Sequence, residues 1–493
     1  MATARRHSAT QGVVWAAVDR VGTVALQFVI NLALAHMLTP SDFGCVGMIL
    51  IFVAVAQIVI DGGFGAALIQ RPDPSERDYA TIFYWNILFS LIIYALIYAL
   101  APAIGHFFRI EALGTMLRVL GMVVIIGSLA LVQRTILRKR IDFRSIAITD
   151  IVSYTLAAIV AIAMARRGFG AWSIVAMQLA NTLISTSLLW LFSHWRPTLT
   201  FSLSSLRELF AYGGYLLLAN TMQEVCTHIQ GVVIGHRFSA TETGLYTQAK
   251  KMEEVASMTL PSILCQVMFP LLAARQGDID SLRTLLRRTT RIAATLIFPL
   301  MVVLALVAEP LVMLLYGTQW SAAVPYFRVL CVGGLFSALY NFNYYAIAAI
   351  GRSRTLLLWG CYKWGALVVL LLAGAAVGMT GVLVAMVVSN INIYLTNALL
   401  AQRYLGYRLT EQLRDVSPAL VASLLTGAVI VALWLWLSVA WWLAAACYLG
   451  LYLAISYAAN RKSINDIVQS IGSQLNWCKY DRERTQRCAS GEV

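Results

Sequence analysis

The sequence predicts an all-α polytopic membrane protein of about 14 transmembrane helices, each of roughly 20 residues to cross a hydrocarbon core about 30 Å thick. Three observations carry that class. Apolar stretches of spanning length fill residues 12–457 almost without interruption. Apolar residues make up 60% of the chain and charged ones 12%, against about 45–50% and about 25% in soluble domains. Lysine and arginine concentrate in alternate loops, as they do on the cytoplasmic side of membrane proteins. A β-barrel is excluded because the runs are continuously apolar, whereas barrel strands alternate.

In chain order the spans are expected at 12–37, 43–69, 79–104, 113–133, 146–165, 170–193, 209–236, 242–273, 292–316, 320–349, 355–378, 380–402, 417–438 and 440–458. The basic set of loops holds Arg5 and Arg6, Arg71 and Arg77, Arg134 to Arg144, Arg196 and Arg207, Arg275 to Arg291, Arg352 and Arg354, Arg403 to Arg414, and the tail from Arg461. The intervening loops hold Arg109, Arg118, Arg166, Arg167 and Arg237. Both termini are therefore expected in the cytoplasm, with an even number of spans. The formal net charge of +14 follows from this loop bias and does not imply nucleic acid. Residues 1–10 are polar and lack a cleavage pattern, so the first span is expected to be an uncleaved anchor. The eight cysteines have no paired spacing, which argues against a disulfide framework or a metal site. Beyond 459, apolar residues at helical spacing (Ile464, Ile467, Val468, Ile471, Leu475) suggest a helix on the inner membrane face.

A shift of 200 residues superimposes His36 on His236, Thr39 on Ser239, Asp42 on Glu242 and Gly44 on Gly244. Six spans separate the copies, so both halves enter the membrane in the same direction, as a parallel repeat. The expected organisation is a six-helix bundle over 1–195, a cytoplasmic linker over 196–208, a second six-helix bundle over 209–405, two extra helices over 406–458 and a cytoplasmic tail over 459–493.

Motifs in order resemble the Wzx-type polysaccharide flippases, of the superfamily that also holds multidrug and toxin extrusion transporters and the lipid II flippase. They are Thr39-Pro-Ser-Asp-Phe-Gly44, Asp61-Gly-Gly-Phe-Gly-Ala-Ala-Leu-Ile-Gln70, Leu137-Arg-Lys-Arg-Ile-Asp-Phe-Arg144, Gly168-Phe-Gly-Ala-Trp172, Gly244-Leu-Tyr-Thr-Gln-Ala249, Phe269-Pro-Leu-Leu272, Leu315-Tyr-Gly-Thr-Gln-Trp320 and Ala349-Ile-Gly-Arg352. Together they cover about residues 10–405. The resemblance implies a V-shaped pair of pseudo-symmetric bundles that alternates between inward and outward openings in a bacterial inner membrane. The implied substrate is an oligosaccharide repeat unit on undecaprenyl diphosphate, destined for exopolysaccharide, capsule or O-antigen, and a polysaccharide polymerase is an expected partner. Lys250-Lys251-Met-Glu-Glu254 departs from the pattern by its charge.

A charge at mid-bilayer costs about 2.5–3.5 kcal/mol on insertion scales, so each needs a partner or a wet cavity. The intramembrane cations Arg20, Lys250, Lys251, Arg328 and Lys363 are candidates to hold a diphosphate, Arg as a bidentate donor and Lys as a point charge. Pairing with nearby acids is the competing explanation, and Glu253 and Glu254 stand at favourable helical spacing from Lys250. Asp61, and Glu224 with His228 one turn on, are candidates to bind a coupling proton or sodium ion, against a helix-packing hydrogen bond. Asn341 and Tyr344, within Tyr340-Asn-Phe-Asn-Tyr-Tyr345, and Asn390 offer the amides and aromatic faces that sugars need; helix-to-helix bonding explains them as well. No cofactor is expected. A cation-coupled multidrug exporter is the alternative function, disfavoured by the excess of buried cations. An enzyme would need a large extramembrane loop or domain, and none is present between the spans.

Overall fold

The computed structural model describes residues 2–71, 74–273, 278–437 and 440–459. They form α1 (Ala2–Ala35), α2 (Pro40–Asp61), α3 (Phe64–Gln70), α4 (Glu76–Phe107), α5 (Glu111–Ser128), α6 (Leu131–Lys139), α7 (Phe143–Arg166), α8 (Trp172–Ser193), α9 (Leu203–Arg237), α10 (Ala240–Ala273), α11 (Ile279–Leu306), α12 (Ala308–Tyr316), α13 (Val324–Ala349), α14 (Ser353–Val377), α15 (Met379–Leu405), α16 (Leu409–Leu437) and α17 (Trp441–Ala459). A short 3-10 helix, Thr318–Ala323, precedes α13. No strand occurs among the described residues, so the all-α class holds.

Among the described residues, eleven helical segments are long and apolar enough to cross a membrane, against the fourteen expected. The other three expected spans fall on α9, α10 and α17; the apolar run of α17 is the shorter Trp441–Ile455, and α10 carries Lys250, Lys251, Glu253 and Glu254 together. Three expected spans are broken helices. The second is α2 and α3, separated by Gly62 and Gly63, both left-handed at φ 58° and 72°. The fourth is α5 running into α6 through Leu129 and Ala130, and the ninth is α11 running into α12 across Val307. The surface helix expected near 464–475 lies outside the described residues.

The chain divides into two compact units, residues 1–247 with 315–320, and residues 248–314 with 321 onward. In the first, α7 packs on α1 and α8, α4 on α5, and α2 on α5 and α9. In the second, α15 lies against both α13 and α14, while α11 packs on α13 and α16, and α17 on α16. A core of Met268, Leu272, Leu282, Leu286, Ile297 and Phe342 holds the second unit. Phe64, Leu68, Phe83, Ile136 and Trp195 form a core in the first.

The duplicated motif has a structural counterpart within the first unit. Thr39 caps α2 in a capping box with Asp42, satisfying amides that a helix start leaves open. Two hundred residues on, the Ser239 hydroxyl accepts the Glu242 amide at 3.1 Å. The two helix starts then cross without side chains between them: a Cβ on Gly44 would fall on the Ala240 carbonyl, and one on Gly244 on the Pro40 carbonyl. Each member of the repeat thus meets the other's first residue, as a local two-fold relation requires. Lipid gives helices no hydrophobic reason to associate, so small residues that let backbones touch supply the dispersion contact instead.

The helix ends beside this crossing are also closed. Gln319 and Trp320 donate side-chain N–H groups to the Ala35 carbonyl, at 2.6 and 2.9 Å, at the end of α1. At the end of α9, His236 stacks on Phe107 with ring centroids 4.0 Å apart, its Nδ1 2.9 Å from the Phe107 carbonyl. Asp42 extends the network by accepting the Ala171 amide at 2.9 Å, which docks the Gly168-Phe-Gly-Ala-Trp172 motif on α2.

Gly44→Ala and Gly244→Ala should each cost about 1–3 kcal/mol through overpacking. Gly365→Ala, inside α14 where an added Cβ meets nothing within 4 Å, should not lower stability, since alanine is the better helix former. Thermal unfolding of the detergent-purified protein checks the contrast.

Candidate functional site

In the second unit, α14 buries Lys363 at 6% exposure. Its ammonium donates to Asn397 Oδ1 on α15 at 2.9 Å and lies 5.6 Å from the centroid of the Tyr344 ring on α13, within cation–π range. Asn397 is fixed in turn by donating to the Tyr340 carbonyl at 3.1 Å. No carboxylate lies within ion-pair distance of Lys363 among the described residues. An amide oxygen and a ring face lower the cost of burying an ammonium without supplying a countercharge.

The other cations of this unit are differently placed. Lys250 is tied to Glu253 at 2.5 Å and lies 3.7 Å from Glu254, the helical pairing that its spacing allowed. Lys251 projects from the exposed side of α10. Arg328 sits 3.7 Å from Glu309, both largely exposed, where an ion pair contributes little. Asn341 donates to the Ser337 carbonyl at 3.4 Å, and Asn390 to the Gly333 carbonyl at 3.3 Å, joining α15 to α13. Of the expected substrate residues, the structure therefore brings together Lys363 and Tyr344, and it adds Asn397.

In the first unit, Arg20 is exposed on α1, and no carboxylate pairs with it among the described residues. Its neighbour Asp19 accepts from the Thr23 hydroxyl at 3.3 Å. On α9, His228 Nε2 lies 2.9 Å from Glu224 Oε1. Asp61 is elsewhere, on the wall of a cavity of about 400 Å³ bounded by α2, α3, α5 and α6 and also lined by Gln57, Thr135, Arg134 and Arg138.

Sequence reasoning missed three features. Arg134, counted with a basic loop, grips Asp150 in bidentate fashion at 2.9 and 2.6 Å and reaches Ser185 at 3.3 Å. Asn397 stands two helical turns beyond Asn390, and that face was legible. Arg283 pairs with Glu411, and Arg287 with Asp415, at 2.6 and 2.8 Å. Both partners of this ladder repeat at i,i+4, a register that could have been read from the chain.

The family described as "Polysaccharide biosynthesis protein" matches residues 33–325. The chain belongs to that family. This polysaccharide biosynthesis protein is 28% identical over 354 residues to the teichuronic acid biosynthesis protein TuaB of Bacillus subtilis (strain 168), covering 71% of this chain and 72% of TuaB. It is 24% identical over 362 residues to the succinoglycan biosynthesis transport protein ExoT of Rhizobium meliloti (strain 1021), covering 73% of each. Its fold is similar to that of the lipid II flippase MurJ in an inward closed conformation, with a TM-score of 0.74 at 13% identity over 92% of this chain and all of that one. The polysaccharide biosynthesis protein thus shares its fold with that structure, one of the superfamily named by the motif resemblance.

Removing Arg134 alone strands the half-buried Asp150. Arg134→Ala should cost this protein about 1.5–3 kcal/mol, the range for hydrogen bonds to charged groups. The double change Arg134→Met with Asp150→Leu should cost less, because no unpaired charge is left. Thermal unfolding of the three proteins side by side checks the order.

Proposed function

We propose that this protein is a flippase that carries oligosaccharide repeat units on undecaprenyl diphosphate from the cytoplasmic to the periplasmic leaflet, for exopolysaccharide, capsule or O-antigen synthesis. The observation that carries the reading is Lys363, a buried ammonium held by neutral groups and left without a carboxylate. Arg20, unpaired on α1, is its counterpart in the first unit. Such cations suit the compact charge of a diphosphate, while the polyprenyl tail stays in lipid. Membership of the polysaccharide biosynthesis family and the naming of ExoT as a transport protein support the same direction.

The alternation is proposed to run between two halves divided near residues 196–208, with a cationic, water-filled space between them and both termini in the cytoplasm. Lys250, Lys251, Arg328, Asn341 and Asn390 serve secondary roles in this reading, since acids or helix carbonyls engage most of them. The drive is proposed to come from moving negative charge out of a cell with a negative interior, worth about 2.3 kcal/mol per charge per 100 mV. Coupling through the Glu224–His228 pair or Asp61, to a proton or a sodium ion, would add to it. Handover to a polysaccharide polymerase follows on the outer face. An exporter of organic cations would need unpaired acids at the site where Lys363 stands, and the buried cation disfavours it.

Lys363→Met and Arg20→Gln should each abolish polymer export in a deletion strain complemented with the variant, with normal protein abundance and with lipid-linked repeat units accumulating on the cytoplasmic leaflet. Lys363→Met should not lower thermal stability, because an apolar isostere replaces a buried charge at little cost. Wild-type polymer yield from both variants would remove these residues from the mechanism.

A further inference from the structure

The cavity walled by α2, α3, α5 and α6 is not explained by a diphosphate grip, and its chemistry differs from that of Lys363. It lies where two broken helices face one another, at Gly62-Gly63 between α2 and α3 and at Leu129-Ala130 between α5 and α6. Irregular backbone is tolerated at membrane depth only where it is buried in protein or lines a wet cavity, and discontinuous helices commonly form the substrate sites of transporters. Its volume of about 400 Å³ lies within the range of small-molecule sites, roughly 300–1,000 Å³.

The charges on its wall do not cancel by contact. Arg134 is already committed to Asp150 through two hydrogen bonds. Arg138 is exposed and makes no ion pair among the described residues. Asp61 accepts amides of Gly63 and Gly65, and no ion pair joins it to Arg138. The absence of a side chain at Gly65, where a Cβ would stand 3.2 Å from Asp61 Oδ1, keeps that carboxylate open to the cavity. One acid and one free base thus share the space with the Gln57 amide and the hydroxyls of Ser128 and Thr135.

Such a donor set discriminates. A bare phosphate would meet Asp61 as a like charge, and a metal or organic cation would meet Arg138. A neutral polyol avoids both penalties: its hydroxyls donate to Asp61 and accept from Arg138, and hydrogen bonds with one ionised partner are about twice as strong as neutral ones. We infer that this cavity is a sugar subsite, taking the neutral hydroxylated rings of the repeat unit, with Asp61 and Arg138 as the paired acceptor and donor. The assignment rests on the flippase reading and gives Asp61 a recognition role in place of ion coupling.

The test uses the full chain with its eight cysteines replaced and one reporter restored, either Ile69→Cys on the cavity wall or Trp359→Cys one turn from Lys363. Reaction with a water-soluble maleimide is timed in nanodiscs with three probes: lipid-linked oligosaccharides extracted from a polymerase-deficient host, the free oligosaccharide released from them by mild acid, and undecaprenyl diphosphate alone. The intact pool and the free oligosaccharide should slow Ile69→Cys labelling about tenfold when present at about ten times their Kd, since only unoccupied protein reacts. Undecaprenyl diphosphate should protect Trp359→Cys and leave Ile69→Cys reactive. Adding Asp61→Asn or Arg138→Gln should abolish sugar protection at Ile69→Cys while Trp359→Cys stays protected, which separates loss of the subsite from misfolding.

Protection of Ile69→Cys by undecaprenyl diphosphate alone would overturn the sugar assignment. So would an unprotected Ile69→Cys in a protein whose Trp359→Cys is protected by the intact pool, an outcome that leaves the flippase reading standing. If the intact pool protects neither reporter, the flippase reading fails and the subsite with it.

Discussion

The crossing of α2 and α10 at Gly44 and Gly244 is the constraint on which the first unit depends. Backbone lies against backbone there, with each glycine over the carbonyl of the other repeat's first helical residue. That contact requires the helix starts to be well defined, and the Thr39 and Ser239 caps define them. Once the starts are set, Asp42 is positioned to receive the Ala171 amide and so to hold the start of α8. The ends of α1 and α9, beside the same crossing, are closed by Gln319 and Trp320 and by the His236–Phe107 stack. A methyl group at either glycine would separate the backbones and loosen every one of these attachments together.

Away from that crossing, pairing sorts the charges into two populations. Arg134 with Asp150, Lys250 with Glu253, Arg283 with Glu411 and Arg287 with Asp415 form close pairs. Most of these pairs tie one helix to another, and the last two bind α16 to α11. Lys363, Arg20 and Arg138 form the second population, cations with no carboxylate partner among the described residues. A pair can be retained because breaking it costs more than keeping it. Arg20 and Arg138 are exposed, but the buried Lys363 has no such protection, since an apolar residue of similar shape would be at least as stable. Its presence points to a demand outside folding.

Most of the architecture was legible in the chain because a membrane protein exposes its period and length directly. The apolar runs mark the helices, and the 200-residue shift marks the repeat whose glycines later meet. The breaks were harder to see. Gly62-Gly63 stood out as a glycine cluster, but Leu129-Ala130 has no glycine or proline and reads as uninterrupted helix. The site was legible only in part: Lys363 could be picked out as a charge deep in an apolar run, yet its partners Asn397 and Tyr344 come from two other helices, at sequence separations that periodicity cannot connect. Arg134 shows the opposite failure, since its position beside a basic loop concealed a partner sixteen residues away inside a span.

On the proposed flippase function, the two candidate sites address different parts of one physical problem. A lipid-linked oligosaccharide presents a concentrated negative charge and, attached to it, a neutral array of hydroxyls. Stripping a hydroxyl of water costs roughly 2–7 kcal/mol when nothing replaces the lost hydrogen bond, so sugars need replacement partners more than they need net charge. A cation alone, such as Lys363, answers the diphosphate but offers hydroxyls only donors. An acid and a base held apart offer both directions of hydrogen bond and impose no net field on a neutral ring. Asp61 and Arg138 line one cavity with no ion pair between them among the described residues, and Asp150 holds Arg134 through two hydrogen bonds. On the proposed subsite reading, two groups left unpaired in this way keep both directions of hydrogen bond open to a sugar ring.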